Sequence, residues 1–139
     1  MGCCISQLNS KIALRFPSSS SIAHKEVCSV NLQYRQSLGH FQVKGNGALV
    51  LTDEVLWFTP VARCAGCCCH LEDIEVLVSD IKEAKITNGT PQRMYGRPCF
   101  LCVDAGSDVL YFYSSNPEAW KAAIDKTLAR LPLPTYTKW

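Results

Sequence analysis

Short apolar runs broken by turn signals dominate the chain from Tyr34 to Tyr113, and they leave room for little besides a small antiparallel β fold. "HFQVKG" reads as a short strand ending at Gly45-Asn46-Gly47, a strong turn signal. "ALVLT" follows, then a tight turn at Thr52-Asp53-Glu54, then "VLWFT" closed by Pro60, which makes a meander. "IEVLV" and "AKIT" flank Ser79-Asp80-Ile81, a polar break with one apolar anchor. Beyond the loop "NGTPQRMYGRP" come "CFLCV" and "VLYFY", joined by residues 104–108. About seven short strands with close turn spacing predict an antiparallel barrel or sandwich.

One helix is expected to close this unit. Asn116 can cap it, Pro117 fits its first position and Glu118 complements its N-terminal dipole. Trp120, Ile124, Thr127, Leu128 and Leu131 recur at three- and four-residue spacing, which makes one face apolar. Pro132 and Pro134 stop it. Such a face after seven strands most economically covers the open end of a barrel.

Residues before Tyr34 read differently. "RFPSSSSIAH" holds a proline and a serine run with no apolar periodicity around it, so residues 1–30 are expected to form a flexible leader. Residues 31–131 form the expected domain and 132–139 a C-terminal tail. Residues 1–35 carry four basic side chains and one acidic, against ten and eleven in residues 36–139. A mildly basic leader before a near-neutral body suits an anionic surface and not a nucleic-acid partner. No run of 18 apolar residues occurs, and polar residues from Ser6 onward interrupt any secretory signal block. Cytoplasmic synthesis is therefore expected, with the nine cysteines as thiols. The stretch from Met1 to Lys25 has no acidic residue and several serines, which also reads as a cleaved organellar transit peptide.

Seven strands and a tryptophan-bearing capping helix are the outline of the pleckstrin-homology (PH) superfold. "GNGALVLTDEVLWF", "VLVSDIKEAKI" and "DVLYFYSSNPEAWKAAI" resemble, in that order, the elements of its GRAM branch over about residues 33–131. The resemblance implies a binding module for membrane lipid or protein, without catalysis and without a cofactor. Phosphoinositide-binding members of the superfold gather Lys and Arg on the first hairpin, where a multiply charged head group needs converging donors. This chain offers Arg35, His40 and Lys44, then Arg63 after the third strand, with no basic residue between the last two. Weak, salt-sensitive anionic-lipid contact through Lys44, Arg63, Arg35 and His40 is the expectation, with protein binding ahead of it.

"RCAGCCCH" is the strangest interior stretch. Cys64 and Cys67 have metal-ligand spacing, Cys68, Cys69 and His70 follow, and Cys99 and Cys102 lie farther on. Residues three apart in a strand point to opposite faces, so Cys99 and Cys102 read as small apolar residues and not as a ligand pair. A metal site would need Cys64, Cys67, Cys69 and His70 within one loop. A merely thiol-rich loop, an S-acylated loop and a metal site stand as the three readings. A soluble metal- or redox-active cysteine protein is the alternative function. Cys69-His70 lacks an orienting third group, and no glycine-rich phosphate loop or carboxylate pair occurs, so no enzyme is expected.

The opening "MGCCIS" carries the sharpest expectation. Gly2 after methionine removal and Ser6 four residues on match the N-myristoylation motif. One myristoyl chain binds membranes only marginally, at about 10⁴ M⁻¹, so a lasting anchor needs a second signal. Cys3 and Cys4 sit where a membrane palmitoyltransferase could reach them, and Lys11 and Arg15 add some attraction to anionic lipid. The whole reads as a lipid-anchored, non-enzymatic adaptor module on the cytoplasmic face of the plasma membrane or endomembranes, with an unidentified protein partner.

Overall fold

A computed structural model of the chain describes residues 2–36, 45–61, 73–91 and 93–131. Its elements are α1 (Gly2–Arg15), β1 (Ile22–Arg35), β2 (Gly45–Thr52), β3 (Val55–Pro60), β4 (Ile74–Leu77), β5 (Glu83–Thr87), β6 (Gly89–Thr90), β7 (Arg93–Met94), β8 (Phe100–Asp104), β9 (Val109–Tyr113) and α2 (Pro117–Arg130). Seven strands form one antiparallel sheet in the order β4-β3-β2-β1-β9-β8-β5, and β6 and β7 pair as a separate hairpin. The sheet is mainly β architecture folded on itself without closing, a sandwich capped by α2, as the strand spacing predicts. Of the expected strand "HFQVKG", only Gly45 lies among the described residues.

β1 makes the fold possible because it belongs to both halves. Its residues from Ile22 to Leu32 pair with β2, and its residues from Asn31 to Arg35 pair with β9. The register shifts between Val27 and Val30, where Cys28 adopts a φ of 72°. A bulge of this kind bends a strand and increases its twist. Before the bulge Val27 and Cys28 pack on one face of the sheet, and after it Val30 and Leu32 enter the opposite core.

The inner core joins Leu49, Leu51, Leu56 and Phe58 of one half to Leu101, Val103, Leu110 and Phe112 of the other. Trp120 and Ile124 of α2 close it. The helix starts where the sequence predicts: the Asn116 side chain accepts a hydrogen bond from the Ala119 N–H at 3.2 Å, and Pro117 takes the first helical position. The turn after β2 is held by Thr52 Oγ1, which accepts from the N–H groups of Glu54 and Val55. A 3-10 turn at Val78–Asp80 leads from β4 towards β5, with Ile81 buried as the expected anchor.

Three expectations need correction. The first strand begins at Ile22, well before Tyr34, because the bulge hides its alternation. Residues 2–15 of the expected flexible leader form α1, whose Leu8 and Ile12 are buried on the outer face of the sheet. They meet Ala48 and Val50 of β2 and Val55 and Trp57 of β3, with Phe16 alongside. Gly45-Asn46-Gly47 is not a turn but the start of β2. A Cβ on Gly47 would lie 2.1 Å from the Thr59 carbonyl oxygen, so glycine is required there by the close approach of β3.

Candidate functional site

The segment Gly2–Ser6, expected from the sequence to be acylated, opens α1, and the helix holds it close to the domain. Leu8, one turn beyond Cys4, is buried on the sheet, while Ile5, Ser6 and Gln7 are exposed. Phe16 just past the helix meets Trp57 edge-on, with ring centroids 5.4 Å apart. Arg15 places its guanidinium 4.8 Å from the Phe16 ring centre. Gly2, Cys3 and Cys4 thus lie between one and two helical turns from the buried Leu8, and not at the end of a long tether.

The cations of α1 are engaged by the domain. Lys11 Nζ lies 3.2 Å from Asp73 Oδ1, which also accepts from Thr59 Oγ1 at 2.7 Å. Arg15 pairs with Glu75 on β4. Both pairs are about half exposed, a setting in which ion pairs contribute little stability. Lys11 and Arg15 therefore face carboxylates in this conformation, where the sequence suggested free attraction to lipid.

Of the four expected anionic-lipid contacts, Arg35 alone is described, and its Nε donates to Asp108 Oδ2 at 2.7 Å. That pair ties the end of β1 to the turn before β9. His40, Lys44 and Arg63 lie outside the described residues, as do Cys64, Cys67, Cys68, Cys69 and His70. Cys102 is buried beside Tyr111 on the neighbouring strand, and Cys99 is partly exposed just before β8. Burial pushes the Cys102 thiol up, and burial together with the hydrogen bond from that pair pushes Tyr111 up to about 12. Among the described residues, no group of three or more His, Cys, Asp or Glu side chains is placed to hold a metal ion.

The residue that sequence reasoning missed is Glu26. Its carboxylate accepts from Ser114 Oγ at 2.7 Å, Ser29 Oγ at 2.7 Å, Trp120 Nε1 at 2.8 Å, and the Ser115 Oγ and N–H at 3.0 and 3.2 Å. These donors come from the β1 bulge, the turn after β9 and the inward face of α2. Burial alone would raise the Glu26 pKa, but the hydrogen bonds from Ser114, Ser29, Trp120 and Ser115 outweigh it and hold the carboxyl below its ordinary value of 4.5. His24 stands edge-on to Trp120 with centroids 4.4 Å apart. The one available signal was indirect: a buried indole N–H needs an acceptor, and the nearby Asn116 and Glu118 were already assigned to the start of the helix.

Comparison with known proteins finds likeness in shape alone. No family model matches the chain, and no curated protein matches it. Among solved structures, a chain of "The 8S snRNP Assembly Intermediate" is similar with a TM-score of 0.59 at 9% identity, covering 88% of this chain and 93% of that one. The C-terminal domain of an unknown protein from Leishmania infantum is similar with a TM-score of 0.52 at 10% identity, covering 88% and 98%. At these identities the two chains share an architecture with this one and carry no site across.

Proposed function

We propose that this chain is a membrane-anchored, non-catalytic binding module of PH/GRAM-like type, held by a myristoyl group on Gly2 and a palmitoyl group on Cys3 or Cys4. The observation that carries the proposal is the place of the MGCCIS segment: it opens α1, and the first residues after it, Ile5 to Gln7, face solvent on the docked helix. The strand order and the capping helix support the PH/GRAM-like part, since that arrangement is what the resemblance implies. Protein binding is the favoured use of the domain, because the one described basic candidate, Arg35, is paired with Asp108.

Packing argues against the cleaved-leader alternative. A mature N-terminus near residue 25 would cut β1 and remove α1, which would uncover Val50, Val55 and Trp57. Exposing those side chains costs on the order of 1.5–3 kcal/mol each.

Intact mass of the chain from a eukaryotic host tests the anchor directly, with myristate and palmitate expected. Each buried CH₂ adds about 0.8 kcal/mol, so the second chain turns a transient encounter into stable residence. Gly2→Ala is expected to be cytosolic, and Cys3→Ser with Cys4→Ser to keep myristate but exchange rapidly from membranes. Firm membrane residence of Gly2→Ala would sink the proposal and turn attention to the Cys64–His70 stretch.

A further inference from the structure

We propose that Ser20 is a phosphorylation site whose phosphate is held by Lys126 and Arg130 across the cavity between the start of β1 and the last turn of α2. The cavity has a volume of about 270 Å³, and Ser20, Ser21, Asp53, Lys126, Thr127 and Arg130 line it. Serine hydroxyls form one wall. The other presents two cations four residues apart, and thus on one face of α2. Asp53 is the only acidic residue among the lining side chains, so the cavity carries one excess positive charge before modification.

The existing electrostatics leave room for a stronger anion. Arg130 Nη1 stands 3.7 Å from Asp53 Oδ1, with the two side chains 56% and 72% exposed. A pair that long and that exposed contributes little. A phosphoserine carries about −1.5 to −2 charges and three acceptor oxygens, and its bonds to Arg and Lys are charge-assisted. It displaces Asp53 from Arg130 and recruits Lys126. The C-terminal dipole of α2 opposes an anion, and the same two cations offset that opposition. Two exposed cations would bind free phosphate weakly, but a tethered phosphate meets them at millimolar effective concentration or above.

Ser20 is distinguished from Ser18 and Ser21 by geometry. It is exposed, it lines this cavity, and its Oγ meets another hydroxyl, Ser18 Oγ, at 2.8 Å. Ser21 Oγ instead donates to the Ser18 carbonyl at 2.8 Å and so closes the turn between α1 and β1. Ser18 lines a neighbouring cavity with Arg15 and Phe16, not the one holding Lys126 and Arg130. In the modification, a protein kinase transfers the γ-phosphoryl group of ATP. The Ser20 Oγ–P bond forms, the bond from phosphorus to the β–γ bridging oxygen breaks, the hydroxyl proton passes to the kinase base, and ADP leaves. The product ties the α1–β1 connector to α2, and neither step depends on acylation.

Full-length chain with phosphoserine incorporated during translation at position 20, or at position 18 as a control, provides the test. By ³¹P NMR the phosphate at 20 is expected to titrate clearly below its ordinary second pKa of about 6, and Tm to rise by on the order of 3 °C over unmodified chain. Both effects should disappear with Lys126→Ala plus Arg130→Ala, two surface changes, while phosphoserine at 18 should not respond to that pair of changes. Titration at position 20 like that of an unfolded peptide, or indifference to the Lys126 and Arg130 changes, would overturn the proposal. So would a Tm gain of the same size when unmodified chain is given inorganic phosphate at about 1 mM, because the cavity would then be a ligand site. Peptide mapping of chain recovered from eukaryotic cells is expected to find phosphate on Ser20, and a chain phosphorylated only at its neighbours, or not at all, would overturn it equally.

Discussion

The two helices cover opposite faces of one sheet, yet they are attached in different ways. α2 buries Trp120, Ile124 and Thr127, is capped by Asn116 and is tied to β1 through the bond from Trp120 Nε1 to Glu26. α1 buries Leu8 and Ile12, and its polar ties, Lys11 to Asp73 and Arg15 to Glu75, lie at the surface. Helical stability in proteins comes chiefly from the packing of one face. Among the described side chains α1 buries two aliphatic residues where α2 buries a tryptophan and three others, so α1 sits nearer its undocking threshold. The difference separates a structural lid from an element whose docking can be biased. α1 is also the helix that carries the proposed acylation sites.

Trp120→Ala should break the comparison most severely. Truncating a fully buried tryptophan costs about 3–5 kcal/mol, and here it also strips Glu26 of a donor. Urea titration should show that loss in one cooperative transition. A change below about 1 kcal/mol would mean that α2 does not anchor the inner core.

Leu8→Ala should cost less, about 2–3 kcal/mol, and act locally. Hydrogen exchange should then show α1 amides losing protection while α2 amides keep theirs. If both helices lost protection together, the outer cluster would be part of the global core and the contrast would fail.

The smallest effect is expected at Glu26, and pH reveals it. Its native pKa is depressed, so the unfolded chain binds more protons in acid. The stabilisation is therefore complete above the unfolded value near 4.5 and is lost as pH falls through the native pKa. Glu26→Gln keeps the shape of the side chain and one acceptor, and should cost about 1–2 kcal/mol at neutral pH. The variant should lose less stability than wild type as pH falls below 4.5. Equal acid sensitivity in the two proteins would remove Glu26 from its place at the junction.

Most of the domain was legible because its signals are local. The strands of the β2–β3 meander and of β8–β9, the cap at Asn116 and the inward face of α2 all follow from neighbouring residues. What stayed hidden depends on distant ones. "ALVL" and "VLWF" are apolar without alternation, which is how strands buried on both faces read. That pattern called for a cover over Ala48, Val50, Val55 and Trp57. The cover, α1, uses Leu8 and Ile12, but Ile5 and Leu14 are apolar too and exposed, so the sequence does not mark out one clean apolar face. β1 was masked because the bulge at Cys28 resets its period, so Val27 and Val30 serve different cores. Glu26 was invisible for a simpler reason: its partners at 114, 115 and 120 are remote in sequence.

The dual pairing of β1 also sets an order of events on the ribosome. The outer cluster draws on α1, β1, β2 and β3, all made by residue 61, whereas the inner core needs β8, β9 and α2. At about 5–20 residues per second, the roughly fifty residues from 61 to the end of β9 take about 3–10 s to emerge. For that interval the nascent chain can seat α1 on β2 and β3 while Leu49, Leu51, Leu56 and Phe58 on the other face have no partner. One face of β2 and β3 is protected early and the other is left sticky, so slow codons or a holding chaperone between residues 61 and 113 would influence yield.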